Sequence, residues 1–417
     1  MTTASGIEKK VILAPQATKG TCAVANLATA QYLRRVTSNL NLQKETYQSN
    51  EMRADRQIGD FRHGVQSIEG SISGELSPGT YEKFMAAILR KAWVTAPASG
   101  PESDITAAVT SGNAGKFTSA ATATFLKDGL KVGDVVRQTG GTGDAAGNNA
   151  RNFLITALTD KVITGLMLDG SPVVAAVSGD ALTFTGVGKK TWTPSTGHTE
   201  DWFSIEHNYS DVDLSEVFWD LKVNSMAVKL PATGISTIDF GLMGLNHTNY
   251  ASGNSPYFSA VLAACTKGVL AAVNGAIYVE GTKIALITGM DFDIAANLSS
   301  EPVVGSNVKP DIFDGRVMVK GNMTVFFEDA TFRDYFENES EVTINCVLTT
   351  AQTATADFLS FTFPRVKVGG AAKDDGEKGI VQTMPFVALF DTSAGPDTGA
   401  TATATLATTM SIQDSSL

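Results

Sequence analysis

Two stretches of the chain repeat one order of polar and apolar positions, although few of their residues are identical. In residues 60–89, the side chains from Ile68 to Leu76 alternate in polarity, so that apolar residues and glycines share one face. The opposite face carries Glu69, Ser71, Ser73 and Glu75. A period of two predicts a β-strand with one buried face. Apolar residues spaced three and four apart then predict a short helix over residues 78–91.

Residues 311–340 contain the same parts in the same order. One constant shift aligns two glycines, an aspartate and an aromatic residue of the two stretches: Gly64 with Gly315, Gly70 with Gly321, Asp60 with Asp311 and Tyr81 with Phe332. The strand upstream of each stretch is also repeated, at residues 36–45 and 287–296, and the second of these carries Asp291 and Asp293. This repetition predicts two tandem units of one fold.

A segment with its own strand patterns interrupts the first unit. Residues 96–195 contain apolar runs bounded by Gly and Asn turns, which predict short strands. We therefore expect a mainly β protein with two tandem β-sandwich units, each flanked by a short helix, and an inserted small β-barrel-like domain. The expected bounds are 1–95 with 196–250 for the first unit, 96–195 for the insertion and 251–417 for the second unit.

Composition narrows the class of protein. The chain has 417 residues, of which 43% are hydrophobic and 18% charged, as expected for a globular protein with two or three cores. No window of membrane-spanning length is free of charged and turn residues, and the N-terminus lacks the features of a signal peptide. We expect a soluble, non-secreted protein. The formal net charge of -11 argues against a general nucleic-acid binder.

Motifs that could support catalysis or metal binding are incomplete. The glycine-rich run at 140–149 lacks the Gly-Lys-Ser/Thr ending of a phosphate-binding loop, and no Gly-x-Ser-x-Gly elbow occurs. The odd number of cysteines (Cys22, Cys265 and Cys346) argues against a disulfide framework, and the four histidines have no ligand spacing. We expect no enzyme, no cofactor and no metal site.

The segments GAIYVEGTKIALITGMDFDI (275–294) and VKPDIFDGRVMVKGNMTVFFEDATFRDYFENES (308–340) resemble the major tail tube proteins of long-tailed, siphovirus-type bacteriophages. In that family two strands separated by a long loop are followed by an acidic turn and a short helix. The resemblance covers both units but not the insertion. It implies rings of six β-sandwich units that stack into a hollow tube, and three duplicated chains would supply six units with pseudo-sixfold symmetry.

The implied tube has a wall of four strands per unit. Such a wall has a circumference of roughly 160 Å and, after side chains, a bore on the order of 40 Å, which admits a DNA duplex. Because the lumen must not bind phosphate, we expect polar faces to line it. The expected lumen-facing residues are Glu69, Ser71, Ser73, Glu75, Asp291 and Asp293; Lys320 departs from this acidic pattern.

The two long loops, residues 44–62 and 296–314, are expected to make contacts between successive rings. Both mix charged and apolar residues, which suits a surface that becomes ordered on assembly. The apolar positions are Tyr47, Met52, Ile58, Phe61, Val303, Val304, Ile312 and Phe313. The insertion is expected on the outside, where it would leave the bore open.

The expected partners are further copies of the chain, the tape measure, tail terminator and distal tail or baseplate proteins, and double-stranded DNA in transit. No membrane-spanning segment is expected. The expected location is the virion tail, with assembly in the host cytoplasm. Two alternatives remain open: a baseplate or tail-tip protein of the same fold, and a β-rich carbohydrate-binding or adhesive module.

Overall fold

The fold is mainly β, as the alternating patterns predict. The computed structural model describes residues 3–177, 179–374, 377 and 379–417. Its strands pair antiparallel into a large sheet system of 19 strands and a separate sheet of six strands. Among the described residues, no helix has the length and apolar character needed to cross a membrane.

The elements follow in chain order. Residues up to 95 form β1 (Lys9–Gln16), β2 (Gln31–Tyr32), β3 (Thr37–Ser38), β4 (Asn41–Gln48), β5 (Phe61–Glu75), α1 (Glu82–Leu89) and β6 (Val94–Thr95). The six-stranded sheet contains β7 (Ile105–Ser111), β8 (Ala114–Ser119), β9 (Val135–Thr139), β10 (Phe153–Leu158), β11 (Val162–Met167) and β12 (Thr183–Gly186). The large system resumes with β13 (Lys189–Trp192), β14 (Trp202–Tyr209), β15 (Leu214–Pro231) and β16 (Thr237–Tyr250).

The remaining elements are β17 (Gly275–Val279), β18 (Thr282–Lys283), β19 (Ile287–Ala295), β20 (Met318–Phe326), α2 (Thr331–Glu337), β21 (Glu341–Thr349), β22 (Phe358–Val368), β23 (Ala372–Lys373), β24 (Val381–Ala388) and β25 (Ser411–Asp414). Single 3₁₀ turns occur at Gly143–Asn148 and Ala272–Asn274. Helix α1 is shorter than the predicted helix over residues 78–91, since residues 78–81 form a turn before it.

The two halves of the large system have the same strand order. In the first half, neighbouring strands are β1, β14, β15, β16, β5 and β4. In the second half, they are β17, β21, β22, β24, β20 and β19. In each half the helix follows the fifth strand of this order along the chain: α1 follows β5, and α2 follows β20. We call these halves the first unit and the second unit.

Strand β15 joins the two units. Its first half pairs with β14, and its last seven residues, Ser225–Pro231, pair with Gly289–Ala295 of β19. The result is one continuous sheet, the inner sheet, in the order β4, β5, β16, β15, β19, β20, β24 and β23. Each unit therefore contributes four strands to it.

Aromatic side chains hold the inner sheet against the strands that cover it. Phe84 of α1 lies 5.4 Å from Phe203 on β14 and 5.1 Å from Phe240 on β16, measured between ring centroids. In the second unit, Phe292 of β19 lies 5.2 Å from both Phe361 and Phe363 of β22. All six rings are almost fully buried in one hydrophobic core that spans both units. Burying each ring stabilises the fold by roughly 2–3 kcal/mol.

The six-stranded sheet has its own core and packs on the outside of the second unit. Phe117 lies 5.1 Å from Phe153 and 4.8 Å from Phe184 within that core. A second cluster joins its outer surface to Tyr278, Val347 and Phe358. These three side chains alternate with core residues along β17, β21 and β22, so they point away from the inner sheet.

His207 is buried on β14 beside charged neighbours. Its Nε2 lies 2.7 Å from the Ser38 hydroxyl. Burial, together with the positive charges of Lys9 and Arg35, lowers the pKa of His207 to about 3. The ring is therefore neutral in the folded protein at pH values where it would be protonated in the unfolded chain.

We expect this histidine to make the fold acid-sensitive. Because the folded pKa lies below the unfolded value, its contribution is complete above about pH 6.5 and is lost as the pH falls towards 3, by on the order of a few kcal/mol. Urea unfolding at several pH values should show a shallower loss of stability for His207→Gln than for the parent over this window. Parallel pH profiles for the two proteins would contradict the assignment.

Candidate assembly surfaces

The six residues expected in the lumen lie on one face of the inner sheet. Residues directly opposite each other across its strands run Ser73, Asp239, Ala227, Asp293 and Lys320. The side chains that alternate with them, such as those of Ile72, Phe240, Met226, Phe292 and Val319, belong to the core face. Glu69, Ser71, Glu75 and Asp291 share the polar face with Ser73 and Asp293.

Two glycines of the repeat let neighbouring strands approach closely behind this face. A Cβ at Gly70 would lie 2.7 Å from the Leu40 Cα, and a Cβ at Gly321 would lie 2.5 Å from the Asp291 carbonyl oxygen. Neither distance is tolerable for a side chain, and backbone atoms cannot move aside cheaply. The glycine matches in the sequence thus mark equivalent close approaches in the two units.

The polar face is acidic, with its lysines opposite carboxylates. It carries Glu69, Glu75, Asp239, Asp291 and Asp293 on the strands from β5 to β20. Lysines on these strands lie beside carboxylates: Lys229 is the direct cross-strand neighbour of Asp291, and Lys320 is that of Asp293. Lys222, in the same row as Met243 and Glu69, lies 3.2 Å from the Asp314 carboxylate. Partial burial raises the pKa of Asp239, which Lys229 counteracts. Each lysine charge is therefore balanced locally, and the face keeps an excess of negative charge.

The inner sheet ends in one unpaired strand edge on each side. Within the described part of the chain, β4 pairs only with β5. At the other end, the segment from Val368 to Lys373 pairs only with β24 among the residues described. Open edges of this kind present unpaired N–H and C=O groups, which can bind a further strand.

The loop between β19 and β20 folds back onto the first unit. Ile312 is 2% exposed and packs between Trp202 and Leu245. Next to it, the Asp314 carboxylate lies 3.1 Å from the Arg90 guanidinium and 3.2 Å from the Lys222 ammonium. Sequence patterns did not indicate this contact, because its partners are far apart along the chain. Ile312 consequently has no free surface for a contact along a tube.

The other expected loop residues are exposed. In the first loop, Tyr47, Met52, Ile58 and Phe61 are between 48% and 104% exposed. In the second loop, Val303, Val304 and Phe313 are also exposed, Val304 completely. The two loops therefore differ: the base of the second packs within the chain, whereas the first projects freely.

The described residues contain no cluster of three or more His, Cys, Asp or Glu side chains that could hold a metal ion. Cys346 is buried in the core, and desolvation raises the pKa of its thiol. The cysteines Cys22 and Cys265 are partly buried and unpaired by disulfides.

Comparison with known proteins identifies the family of the chain. No curated protein sequence matches the chain. The family model described as phage tail tube protein matches residues 6–388, which is most of the chain. Proteins of this family are structural components of the virion tail that assemble into a tube, not enzymes. The chain therefore belongs to the phage tail tube protein family.

Proposed function

We propose that three copies of this chain form a ring, and that such rings stack into the tail tube of a siphovirus-type phage through which the genome passes. Each chain supplies two units that arose by duplication. The shared strand order of the units supports the duplication. The insertion within residues 96–195 is a separate domain in this proposal, although β13 inside those bounds pairs with β6 and β25 of the large sheet system.

The observation that carries this proposal is the eight-stranded inner sheet with an open edge at each end. Four strands come from each unit, so three chains would supply the 24 strands of the wall derived from the sequence. A closed wall has no unpaired edges, which removes the risk of uncontrolled strand addition. The twist of the sheet and the shared strand order of the two units favour ring closure over an open filament.

The polar face is proposed to line the lumen. Its excess of carboxylates repels the phosphate backbone, and Lys229 and Lys320 each face an aspartate. DNA would therefore release few counterions to this surface and would slide without being held. The insertion packs against Tyr278, Val347 and Phe358, on the far side of the core from this face, which supports an external position.

The tips of the two loops are proposed to make the contacts between rings. Met52, Ile58, Val303 and Val304 are exposed there, and such apolar residues are unfavourable unless a partner covers them. Contacts with tape measure, tail terminator and distal tail or baseplate proteins would use the same ring surfaces at the two ends of the tube. Assembly in the host cytoplasm is part of this proposal.

Electron microscopy of the purified protein at increasing concentration tests the ring. We expect hollow rings or tubes whose unsymmetrised top views show a six-lobed wall with three outer knobs, one for each insertion. Rings with another number of knobs, or monomers at every concentration, would contradict the proposed trimer.

Replacing lumen carboxylates tests the polar face. Tubes of Glu69→Lys/Glu75→Lys should retain short DNA duplexes in co-sedimentation at low salt, because the added lysines neutralise phosphates and release counterions. Retention should fall by at least about tenfold between 50 and 200 mM salt. Tubes of Asp144→Lys/Asp180→Lys, changed in the insertion, serve as the matched control. Equal retention by both variants would place the polar face outside the lumen.

Changing one loop tip tests the stacking. Val304→Asp should form rings that fail to stack, since the buried interface would contain an unpaired charge, costing at least a few kcal/mol per contact. Particle lengths measured by electron microscopy report the effect. Val177→Asp, at an equally exposed valine of the insertion, should leave tube length unchanged. Long tubes from Val304→Asp would argue against an axial role for this tip.

A further inference from the structure

Inside one chain, the loop between β19 and β20 of the second unit packs on the first unit, and the equivalent surface of the second unit is exposed. We propose that a second copy of the chain docks there. The β4 edge of that copy pairs with Val368–Lys373, and the base of its first loop, Phe61–His63, contacts a surface formed by Glu339, Glu341, Val387 and Phe390. We also propose that the charge at the helix end of this contact is reversed relative to that inside the chain, where Arg90 corresponds to Glu339. This inference rests on the proposed ring and names the surfaces that close it.

Equivalent positions on the two units follow first from the helix ends. α1 and α2 are both followed within two residues by a residue with left-handed backbone, Arg90 with φ 59° and Glu339 with φ 50°. The same two hydrogen bonds close both ends: Arg90 N–H donates to Ala87 O, and Glu339 N–H donates to Phe336 O, with the next residue bonding five positions back in each case. Glu339 therefore stands where Arg90 stands in the first unit.

The loop bases are equivalent as well. Tyr47 lies opposite Arg62 where β4 meets β5, and Ser299 lies opposite Phe313 at the corresponding place between β19 and β20. The residues before and after this position then correspond. Phe61 takes the place of Ile312, and His63 takes the place of Asp314.

Strand register places the apolar part of the docking surface. The pairing of β14 with β15 is irregular directly after Phe203, and the pairing of β21 with β22 is irregular directly after Val342. This aligns Lys222 with Lys367, and their cross-strand neighbours, Met243 and Val387, therefore correspond. Met243 packs at the cluster that receives Ile312.

The counterpart surface is open in the single chain. Val387 is 40% exposed and Phe390, nearby at the end of β24, is 41% exposed. The Glu339 side chain is 83% exposed, although its carboxylate lies 3.6 Å from the Lys367 ammonium. Phe61, the residue equivalent to buried Ile312, is 48% exposed. Exposed apolar side chains therefore occur on both surfaces that the equivalence brings together.

The sheet edge extends the same contact. β19 bonds to Ser225–Pro231 inside the chain, and β4 is the strand equivalent to β19. The segment equivalent to Ser225–Pro231 is the open edge from Val368 to Lys373. Ser225–Pro231 runs along β16, which pairs with β5, and Val368–Lys373 runs along β24, which pairs with the equivalent strand β20. Asn41 of one copy would then lie opposite Ala372 of the next.

The charge at the helix end is reversed between the two contacts. Inside the chain, acidic Asp314 on the loop meets basic Arg90 at the end of α1, and it also meets Lys222. Between chains, His63 with neighbouring Arg62 on the loop would meet Glu339 and Glu341, which in the single chain lie 3.6 Å and 3.8 Å from the Lys367 ammonium, with Glu341 also 2.6 Å from the Arg365 guanidinium. Exchanging the loops would put Asp314 against Glu339 and His63 against Arg90, so mismatched docking would bring like charges together or leave a charge unpaired. The reversal thus keeps first and second units alternating around the ring.

Introducing the internal Asp–Arg ion pair at positions 63 and 339 tests the proposed contact of His63 with Glu339. Glu339→Arg and His63→Asp, each alone, should raise the concentration for half-maximal ring assembly by about tenfold or more, measured by sedimentation velocity. The double variant restores the Asp–Arg pairing found inside the chain and should assemble within about threefold of the parent. Both positions are exposed, and circular dichroism checks that each variant folds. Asp144→Arg is the control and should assemble as the parent does.

Cross-linking separates failure of this docking from failure of the ring. Copies with Phe61→Cys are mixed with copies with Val387→Cys and treated with a short bis-maleimide, and the parent protein reports any background from its own cysteines. A linked pair that forms only in the mixture supports the docking. Rings without that link, or single variants that assemble like the parent, overturn the docking and leave the ring intact. Absence of rings under every condition overturns both.

Discussion

The pairing of β15 with β19 is the interaction on which the architecture depends. Without it, each unit would be a sandwich with its own open inner edges. With it, Ser225–Lys229 of β15 are paired on both sides, and the two units share one inner sheet and one core. The cost of leaving strand edges open is thus confined to the two ends of the inner sheet, where a further chain can satisfy them.

Separation of the two faces of that sheet follows from strand geometry. A period of two sends Phe240 and Phe292 into the core, while Asp239 and Asp291 point the other way. Because the core lies between the polar face and the strands that carry the insertion, the two surfaces can evolve independently. A structural protein of this kind needs charge and shape on each face, and it needs no arrangement of reactive groups.

The two units share a scaffold but differ at their contact residues. Ile312 is buried against Trp202, whereas its counterpart Phe61 is exposed. α1 buries most of its apolar side chains, and α2 buries none of its residues fully. In a ring built from single identical units, one set of residues would have to serve every contact. With two linked units, one of the two contacts is made inside the chain, where it is intramolecular and therefore costs less entropy. The residues of the contact between chains can then differ from those of the contact inside the chain.

Local sequence determined much of this protein. Alternation identified the strands and assigned Glu69, Ser73 and Asp293 to polar faces, and the repeat with its glycines indicated two units of a tail tube fold, the family that the comparison then confirmed. Only the tertiary structure decided that Lys320 lies opposite Asp293 and that β15 bonds to β19. It also decided that Ile312, which the sequence grouped with exposed loop residues, packs against Trp202. The reason is physical: periodicity reports which side of a strand is buried, whereas the partner of a strand or loop depends on contacts between residues far apart in the chain, for which a single sequence carries no local signal.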